Sequence, residues 1–256
     1  MIPLYDNNPT RGPAVVTVVL IAANVAVFLA QVVLQGGGAA WVIPAYGLVP
    51  TRLAQDPLGE AFTVVTSMFM HGGWAHLGWN MLFLHIFGDN VEDALGHARY
   101  LAFYLLGGFG AATCQFLVNP SSNIPMVGAS GAIAAVLGGY VVLHPRAPIA
   151  VVNPILPLWL LMGPLIALPA WFVVGEWFLV NLLGGLGAIG RAEGGVAFFA
   201  HIGGFVVGLF TIRSFASGRT RQSQGSWSGW QAPTRPPRRQ GVFWREDPKQ
   251  RRPFWK

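Results

Sequence analysis

A serine and a histidine on two different apolar segments could together carry out hydrolysis. Ser130 stands in the segment Gly128-Ala129-Ser130-Gly131. Glycines around a serine let the backbone approach a bound carbonyl closely and leave the hydroxyl accessible. A serine nucleophile also needs a base within hydrogen-bond reach, and His201 is the candidate. Either residue alone is more often structural, so a catalytic role requires that the fold bring the two together.

Small residues at helical spacing follow both candidates. They are Gly131, Ala134, Ala135 and Gly138 after the serine, and Gly204 and Gly208 after the histidine. In a membrane, such small faces let two helix backbones come into contact. We therefore expect the helix that begins near Ser130 to pack closely against the helix that carries His201, which favours a catalytic role for the pair.

A second polar pair lies on one face of a predicted helix. His76 and Asn80 are four residues apart, so their side chains lie one above the other, whereas His85 faces elsewhere. Two hydrogen-bond donors stacked in this way suit the stabilisation of a developing oxyanion. They also suit two hydrogen bonds between helices. The spacing alone leaves both roles open.

The composition places these residues in a membrane protein. Hydrophobic residues make up 53% of the 256-residue chain and charged residues only 10%, whereas soluble domains carry about 25% charged residues. Crossing the hydrocarbon takes about 20 apolar residues. Six apolar segments, numbered spans one to six, are predicted at about 14–34, 74–91, 100–118, 130–143, 156–182 and 196–212. The expected fold class is therefore all-α, a polytopic membrane protein with six transmembrane helices.

Two parts of this pattern are not plain membrane crossings. Span four is short for a full crossing, so one of its ends should lie below the membrane surface. Residues 35–73 contain glycines, prolines and charges, and they predict a structured first loop. His71, at the end of this loop, is expected at the membrane interface, and Glu176 is expected near the outer end of span five.

Charges outside the spans predict the orientation of the chain. Six spans put both termini on the same side. That side carries Arg11, Arg99, Arg146, Arg213 and the ten Lys and Arg of the tail, against Arg52 and Arg191 on the other side. Positive residues stay on the cytoplasmic side. We therefore predict a multi-pass protein of the plasma membrane with both termini in the cytoplasm.

The chain is predicted to divide into a membrane domain, residues 1–213, and a basic tail, residues 214–256. The tail has too few aliphatic side chains to form a core, so it should be disordered. It is expected to be solvated or to contact anionic lipid headgroups, and nucleic-acid binding is the least favoured role. The single cysteine, Cys114, excludes an internal disulfide.

Three segments resemble the rhomboid intramembrane serine proteases, in particular bacterial members with the basic six-helix core. The segments are Met68–Asp93 (MFMHGGWAHLGWNMLFLHIFGDNVED), Val127–Gly139 (VGASGAIAAVLGG) and Ala200–Gly208 (AHIGGFVVG). The resemblance covers about residues 14–213. Its motifs are specific in combination and in their order along the chain.

The resemblance implies a role for each candidate residue. Ser130 would be the nucleophile and His201 its base, a dyad without an aspartate. His76 and Asn80, with backbone amides near the serine, would form the oxyanion site. The motif glycines are Gly128, Gly131 and Gly204. The family needs no metal or cofactor, and its substrates are typically single-pass membrane proteins with small, helix-destabilising residues near the cleavage site.

Two positions depart from the family pattern. Many members carry an aromatic residue four positions after the serine, packed against the catalytic histidine, whereas this chain has Ala134. His201 must therefore be oriented by other side chains. In the first loop, Phe62-Thr63 replaces a tryptophan or a Trp-Arg pair that is common in the family. Neither departure removes a reacting group.

The predicted function is that of a serine endopeptidase that cleaves membrane proteins in or near their transmembrane segments. Two alternatives are a non-catalytic rhomboid-like protein that binds membrane clients and a small transporter that uses the polar helix faces. The presence of both Ser130 and His201 disfavours the first alternative. The second is disfavoured because the sequence has no internal repeat and no run of polar residues toward the cytoplasm.

Overall fold

The computed structural model describes residues 1–38, 40–156, 159, 163–188 and 197–216. The helices of this part are α1 (Val15–Gly36), α2 (Val42–Tyr46), α3 (Pro50–Gln55), α4 (Pro57–Glu60), α5 (Thr63–Thr66), α6 (Trp74–Leu95), α7 (His97–Val118), α8 (Ser130–Leu143), α9 (Ala170–Ala188) and α10 (Phe198–Phe215). The strands are β1 (Pro3–Asp6), β2 (Pro148–Val152) and β3 (Leu165–Pro169).

The long helices make this a polytopic membrane protein. Within the described residues, α1, α7, α9 and α10 are each long and apolar enough to cross a membrane, and α8 is a shorter apolar helix. Helix α6 is as long as α1, with 22 residues, but it carries His76, Asn80 and His85 among its apolar side chains. These six helices correspond to the six predicted spans. The predicted polytopic helical fold with a short fourth span is confirmed.

The prediction for span five was wrong in its first half. Residues 165–169 form a β-strand, and α9 begins at Ala170 and continues to Ala188. A short apolar run reads the same in a buried strand and in a helix, and Pro164 and Pro169 bound this one. Part of the predicted span, residues 157–158 and 160–162, lies outside the described residues. The other five spans agree with helices to within four residues at each end.

A small antiparallel sheet, absent from the prediction, closes one end of the helix bundle. Strand β2 lies in the middle, with β1 on one side and β3 on the other. Tyr5 pairs with Ala150, and Ile149 pairs with Leu168. Because β2 follows α8 and β3 leads directly into α9, the sheet fixes where α9 starts.

The first turn of α1 is capped by a residue from another helix. Glu92 of α6 is 1% exposed, and its carboxylate accepts hydrogen bonds from the backbone N–H groups of Val16 and Thr17, both at 2.8 Å. The Thr17 hydroxyl donates a third bond at 2.7 Å. A carboxylate at a helix N-terminus satisfies orphan N–H groups and complements the helix dipole. Glu92 therefore holds α1 against α6.

Helix α8 lies at the centre of the bundle and packs against α10 through glycine. A Cβ placed on Gly204 would lie 2.0 Å from the carbonyl oxygen of Gly131, and one on Gly208 would lie 2.0 Å from that of Ala135. Only hydrogen fits at these two positions, so the helix backbones are in direct contact. We call this contact the glycine seam. The predicted close packing of these two helices is confirmed.

Glu176 was predicted near the outer end of its helix, but it lies near the opposite end. Because α9 begins at Ala170, Glu176 falls in its second turn, close to the sheet. Its carboxylate pairs at 3.1 Å with the α-amino group of Met1, at the start of the segment that leads into β1. The late start of α9 is the reason for the difference.

Candidate active site

Ser130 and His201 meet at one end of the glycine seam. Ser130 is the first residue of α8, and His201 lies in the first turn of α10. The Ser130 Oγ and His201 Nε2 atoms are 2.8 Å apart, although the residues are separated by 71 positions in the chain. Contact between the two backbones at Gly131 and Gly204, one residue beyond Ser130 and three beyond His201, brings the side chains within hydrogen-bond reach.

The other ring nitrogen of His201 contacts a residue that the sequence did not point to. His201 Nδ1 lies 2.5 Å from Oδ1 of Asn181 on α9. The Asn181 amide nitrogen in turn donates to the backbone carbonyl of Trp177 at 2.8 Å. Polar side chains inside apolar helices usually mark function. Asn181, between apolar residues in the segment LVNLL, could have been found by that signal.

An aromatic residue of α9 also packs beside His201. The ring centroids of Trp177 and His201 are 5.6 Å apart, with the planes tilted by 40°. Ala134, where the resemblance implies an aromatic residue, is fully buried in the glycine seam, 3.3 Å from a Cβ placed on Gly204. An aromatic side chain at Ala134 would collide with α10. In this chain, residues of α9 therefore surround the imidazole instead.

His76 and Asn80 lie on the face of α6 that is turned toward Gly128. A Cβ placed on Gly128 would lie 2.7 Å from His76 Nε2 and 3.5 Å from Asn80 Nδ2. Gly128 also has a φ of +123°, which L side chains rarely adopt. Glycine is thus required at this position both for backbone conformation and for space. It brings the backbone before Ser130 close to both polar side chains.

Both polar side chains of α6 have a nitrogen available to donate a hydrogen bond. His76 Nδ1 accepts from the backbone N–H of Gly72 at 3.4 Å, which assigns the proton to Nε2. Asn80 is 6% exposed, and within the described residues its Nδ2 has no acceptor. A buried donor without a partner is costly. The two nitrogens are therefore suited to bind an oxygen atom that enters from the cavity.

One cavity joins these groups. Its volume is about 610 Å³, and its lining includes His76, Asn80, Ser130, Trp177 and His201. This volume is within the range of about 300–1,000 Å³ that is typical of ligand pockets. Among the described residues, no three His, Cys, Asp or Glu side chains converge to hold a metal ion. The lining contains the hydroxyl of Ser130 and the imidazoles of His76 and His201.

His71, which was predicted at the membrane interface, is buried inside the protein next to His76. It is 0% exposed, and its backbone exchanges two hydrogen bonds with the Gln31 side chain of α1, at 2.6 and 3.2 Å. Its ring lies 5.2 Å from that of His76. Burial, with a smaller effect from His76, lowers the pKa of His71 from 6.5 to about 4. The side chain is therefore neutral, and the backbone of His71 anchors the first loop to α1.

The sequence of this region matches a known family. The model of the Rhomboid domain matches residues 58–217, which is more than half of the chain. This range includes four polar residues of the cavity: His76, Asn80, Ser130 and His201. The chain belongs to the rhomboid family. The resemblance carried by the three sequence motifs is confirmed.

Several proteins that are named as rhomboids are similar to this chain. Rhomboid-like protease 5 of Toxoplasma gondii is 32% identical over 68% of this chain and 19% of its own length. Rhomboid protease GluP of Bacillus subtilis is 32% identical over 53% of this chain and 26% of its own. Rhomboid protein 1, mitochondrial, of Saccharomyces cerevisiae is 25% identical over 68% of this chain and 49% of its own. This rhomboid covers less than half of the length of each of the three.

Proposed function

We propose that this rhomboid is an intramembrane serine endopeptidase that hydrolyses peptide bonds in or near the transmembrane segments of membrane proteins. The observation that carries the proposal is the 2.8 Å contact between Ser130 Oγ and His201 Nε2. This contact opens into a cavity that also holds two hydrogen-bond donors. A nucleophile, a base and oxyanion donors around one pocket are the groups that acyl transfer needs.

The first half of the reaction forms an acyl-enzyme. The Ser130 hydroxyl attacks the carbonyl carbon of the scissile peptide bond while His201 Nε2 accepts its proton. The negative charge passes to the carbonyl oxygen, which accepts hydrogen bonds from His76 Nε2 and Asn80 Nδ2. The first N–H groups of α8 have no intrahelical acceptor and add further donors. His201 then gives the proton to the leaving amine as the C–N bond breaks.

The second half releases the enzyme by hydrolysis. A water molecule attacks the ester carbonyl, and His201 accepts one of its protons. When the tetrahedral intermediate collapses, the bond to Ser130 Oγ breaks and His201 returns the proton to that oxygen. The amine and the carboxylic acid are the products, and the dyad is restored.

Water reaches this site because α8 does not span the bilayer. Its 14 residues extend about 21 Å, against about 30 Å of hydrocarbon. We therefore place Ser130, at the first position of α8, below the level of the lipid headgroups, and the cavity above it has room for the water that hydrolysis consumes.

Membrane topology and partners follow from the same proposal. We place the protein in the plasma membrane and assign both termini to the cytoplasm. The reason for this orientation is that most Lys and Arg residues outside the spans lie on the same side as the termini. The partners are transmembrane substrates and the bilayer itself. Residues 217–256 lie outside the described residues. For this basic tail, contact with anionic lipid headgroups remains a prediction.

The decisive test is cleavage by purified protein in proteoliposomes. Wild-type protein is expected to cleave a model transmembrane substrate and to react with a fluorophosphonate. The Ser130→Ala variant is expected to lose both activities, with cleavage reduced at least about 10³-fold. Ser121→Ala, at an exposed serine in the loop before α8, is the matched control and should behave as wild type.

Other outcomes of this assay identify the alternatives. Binding of the substrate by wild-type protein without cleavage would favour the client-binding protein. A solute flux that is lost in His76→Ala and retained in Ser130→Ala would favour the transporter. Cleavage that is unchanged in Ser130→Ala would overturn the proposal.

A further inference from the structure

We infer that Asn181 is a positioning residue that completes a Ser130–His201–Asn181 hydrogen-bond chain and fixes which nitrogen of His201 acts as the base. The inference deepens the proposed function and rests on it. It assigns the orientation of His201 to a side chain of α9, because α8 has no aromatic residue at the position of Ala134.

The orientation of the Asn181 amide follows from its partners. A backbone carbonyl can only accept, so the group that lies 2.8 Å from the Trp177 carbonyl is the amide nitrogen. The amide oxygen then faces His201 Nδ1. The same i to i−4 bond that satisfies the Asn181 nitrogen therefore also aims its oxygen at the imidazole.

The tautomer of His201 follows from the amide orientation. An amide oxygen can only accept, so His201 Nδ1 carries the proton. Nε2 then has a free lone pair, and it lies 2.8 Å from the Ser130 hydroxyl. The chain of hydrogen bonds runs in one direction, from Ser130 through His201 to Asn181. This is the tautomer that a general base needs.

Asn181 acts through His201 and not on the substrate. It is 7% exposed, and it is not among the described residues that line the cavity. Its position opposite His201 is fixed one turn further along α9, where a Cβ placed on Gly185 would lie 3.4 Å from Ile202. Helices α9 and α10 thus pack closely where the polar bond forms.

A neutral amide fits the chemistry of this site. When His201 takes the proton from Ser130, the Asn181 oxygen keeps its hydrogen bond to Nδ1 without bringing a second charge into an apolar bundle. Cysteine proteases of the papain type use an asparagine in the same place relative to their histidine. An aspartate at this position would instead favour the protonated imidazole by its charge.

The test compares two substitutions at Asn181 with a matched substitution elsewhere. Asn24 of α1 is buried and makes the same i to i−4 bond, to the carbonyl of Leu20 at 2.8 Å, and it is not among the described residues that line the cavity. Asn181→Leu is expected to lower kcat by about 10- to 100-fold with KM nearly unchanged. Asn24→Leu is expected to leave kcat unchanged. Both are assayed in proteoliposomes with the model transmembrane substrate.

The pH profile supplies a readout that a purely structural role would not move. Asn181→Asp keeps the shape and the acceptor for His201 Nδ1 but loses the bond to the Trp177 carbonyl, so it should retain more activity than Asn181→Leu. Its charge favours the protonated imidazole, so the acidic limb of kcat should move to higher pH by about one unit. This second variant decides the question if Asn181→Leu does not fold.

The outcomes separate this inference from the proposed function. If Ser130→Ala abolishes cleavage while Asn181→Leu keeps kcat within twofold of wild type, only the inference is overturned. A pH profile of Asn181→Asp that superimposes on that of wild type, or a loss of kcat in Asn24→Leu as large as in Asn181→Leu, would also overturn it. If Ser130→Ala cleaves like wild type, the proposed function fails and the inference fails with it.

Discussion

Helix α10 is held on two sides by two different kinds of contact. Toward α8, backbone lies on backbone at Gly204 and Gly208, and the hydrogen bond between Ser130 and His201 lies at one end of this contact. Toward α9, the Asn181 amide bonds to the imidazole of His201. The seam sets the distance between His201 and Ser130. The hydrogen bond to Asn181 sets the tautomer of His201, so that the unprotonated Nε2 faces the serine. Distance is thus set by shape, and chemical state by hydrogen bonding.

Breaking the seam should have the largest effect. In Gly204→Val, the new side chain would meet the Gly131 carbonyl at 2.0 Å, and a backbone atom inside a buried helix cannot move aside. The helices must separate, with an expected loss of unfolding free energy of about 3 kcal/mol and complete loss of cleavage. Unfolding in mixed detergent micelles measures the first effect.

A valine in open space on a neighbouring helix controls for the substitution itself. Gly175 on α9 has no atom within 4 Å of a placed Cβ, so Gly175→Val should change stability by less than about 0.5 kcal/mol. Equal stability of Gly204→Val and Gly175→Val would show that the seam is not a tight contact.

Asn80 should separate chemistry from packing most cleanly. Within the described residues its Nδ2 bonds to nothing, so Asn80→Ala should leave the unfolding free energy unchanged. Loss of one oxyanion donor should lower kcat by about 10²- to 10³-fold. Asn123→Ala, in the loop before α8, is the control. It removes an amide that accepts a hydrogen bond from the Thr51 hydroxyl, and it should not affect kcat. A loss of stability in Asn80→Ala without loss of kcat would assign Asn80 to packing.

The same division explains what the sequence could predict. Small residues repeat at helical spacing on both sides of the seam, so the contact and the approach of Ser130 to His201 could be read from residue types. The start of α9 could not, because residues 165–169 are apolar enough for a helix and become a strand only by pairing with β2. Because the start of α9 was predicted too early in the chain, Glu176 was assigned to the wrong end of the helix. Asn181 stands out in the sequence as a polar residue in an apolar helix, but only the fold shows that it faces His201.

The contact between the first loop and α1 should depend on pH, whereas the seam has no group that titrates. Burial lowers the pKa of His71 from 6.5 to about 4. Between these two values the unfolded chain binds a proton that the folded chain does not, so unfolding free energy should fall as pH is lowered from 6.5 to 4. The fall from this residue should be about 3 kcal/mol, and it should level off below pH 4.

Unfolding measured over this range in wild type and in His71→Gln provides the check. Burial lowers the pKa of His144 to about 4 as well, so the variant should keep part of the pH dependence, and His71→Gln/His144→Gln should lose more of it than His71→Gln does. A pH dependence of the same size in wild type and His71→Gln would contradict the prediction.

Trp177 gives the smallest expected effect and the finest comparison between the two contacts of His201 with α9. In Trp177→Leu the ring that lies 5.6 Å from the imidazole is lost, but the backbone carbonyl that orients Asn181 remains. The amide should therefore still select the same tautomer. Loss of one tilted aromatic contact should lower kcat only about two- to fivefold, without moving its pH profile.

Trp171→Leu, at a tryptophan on α9 that is 56% exposed, is the control and should match wild type. If Trp177→Leu instead lowers kcat as much as Asn181→Leu does, the aromatic ring and not the amide orients His201.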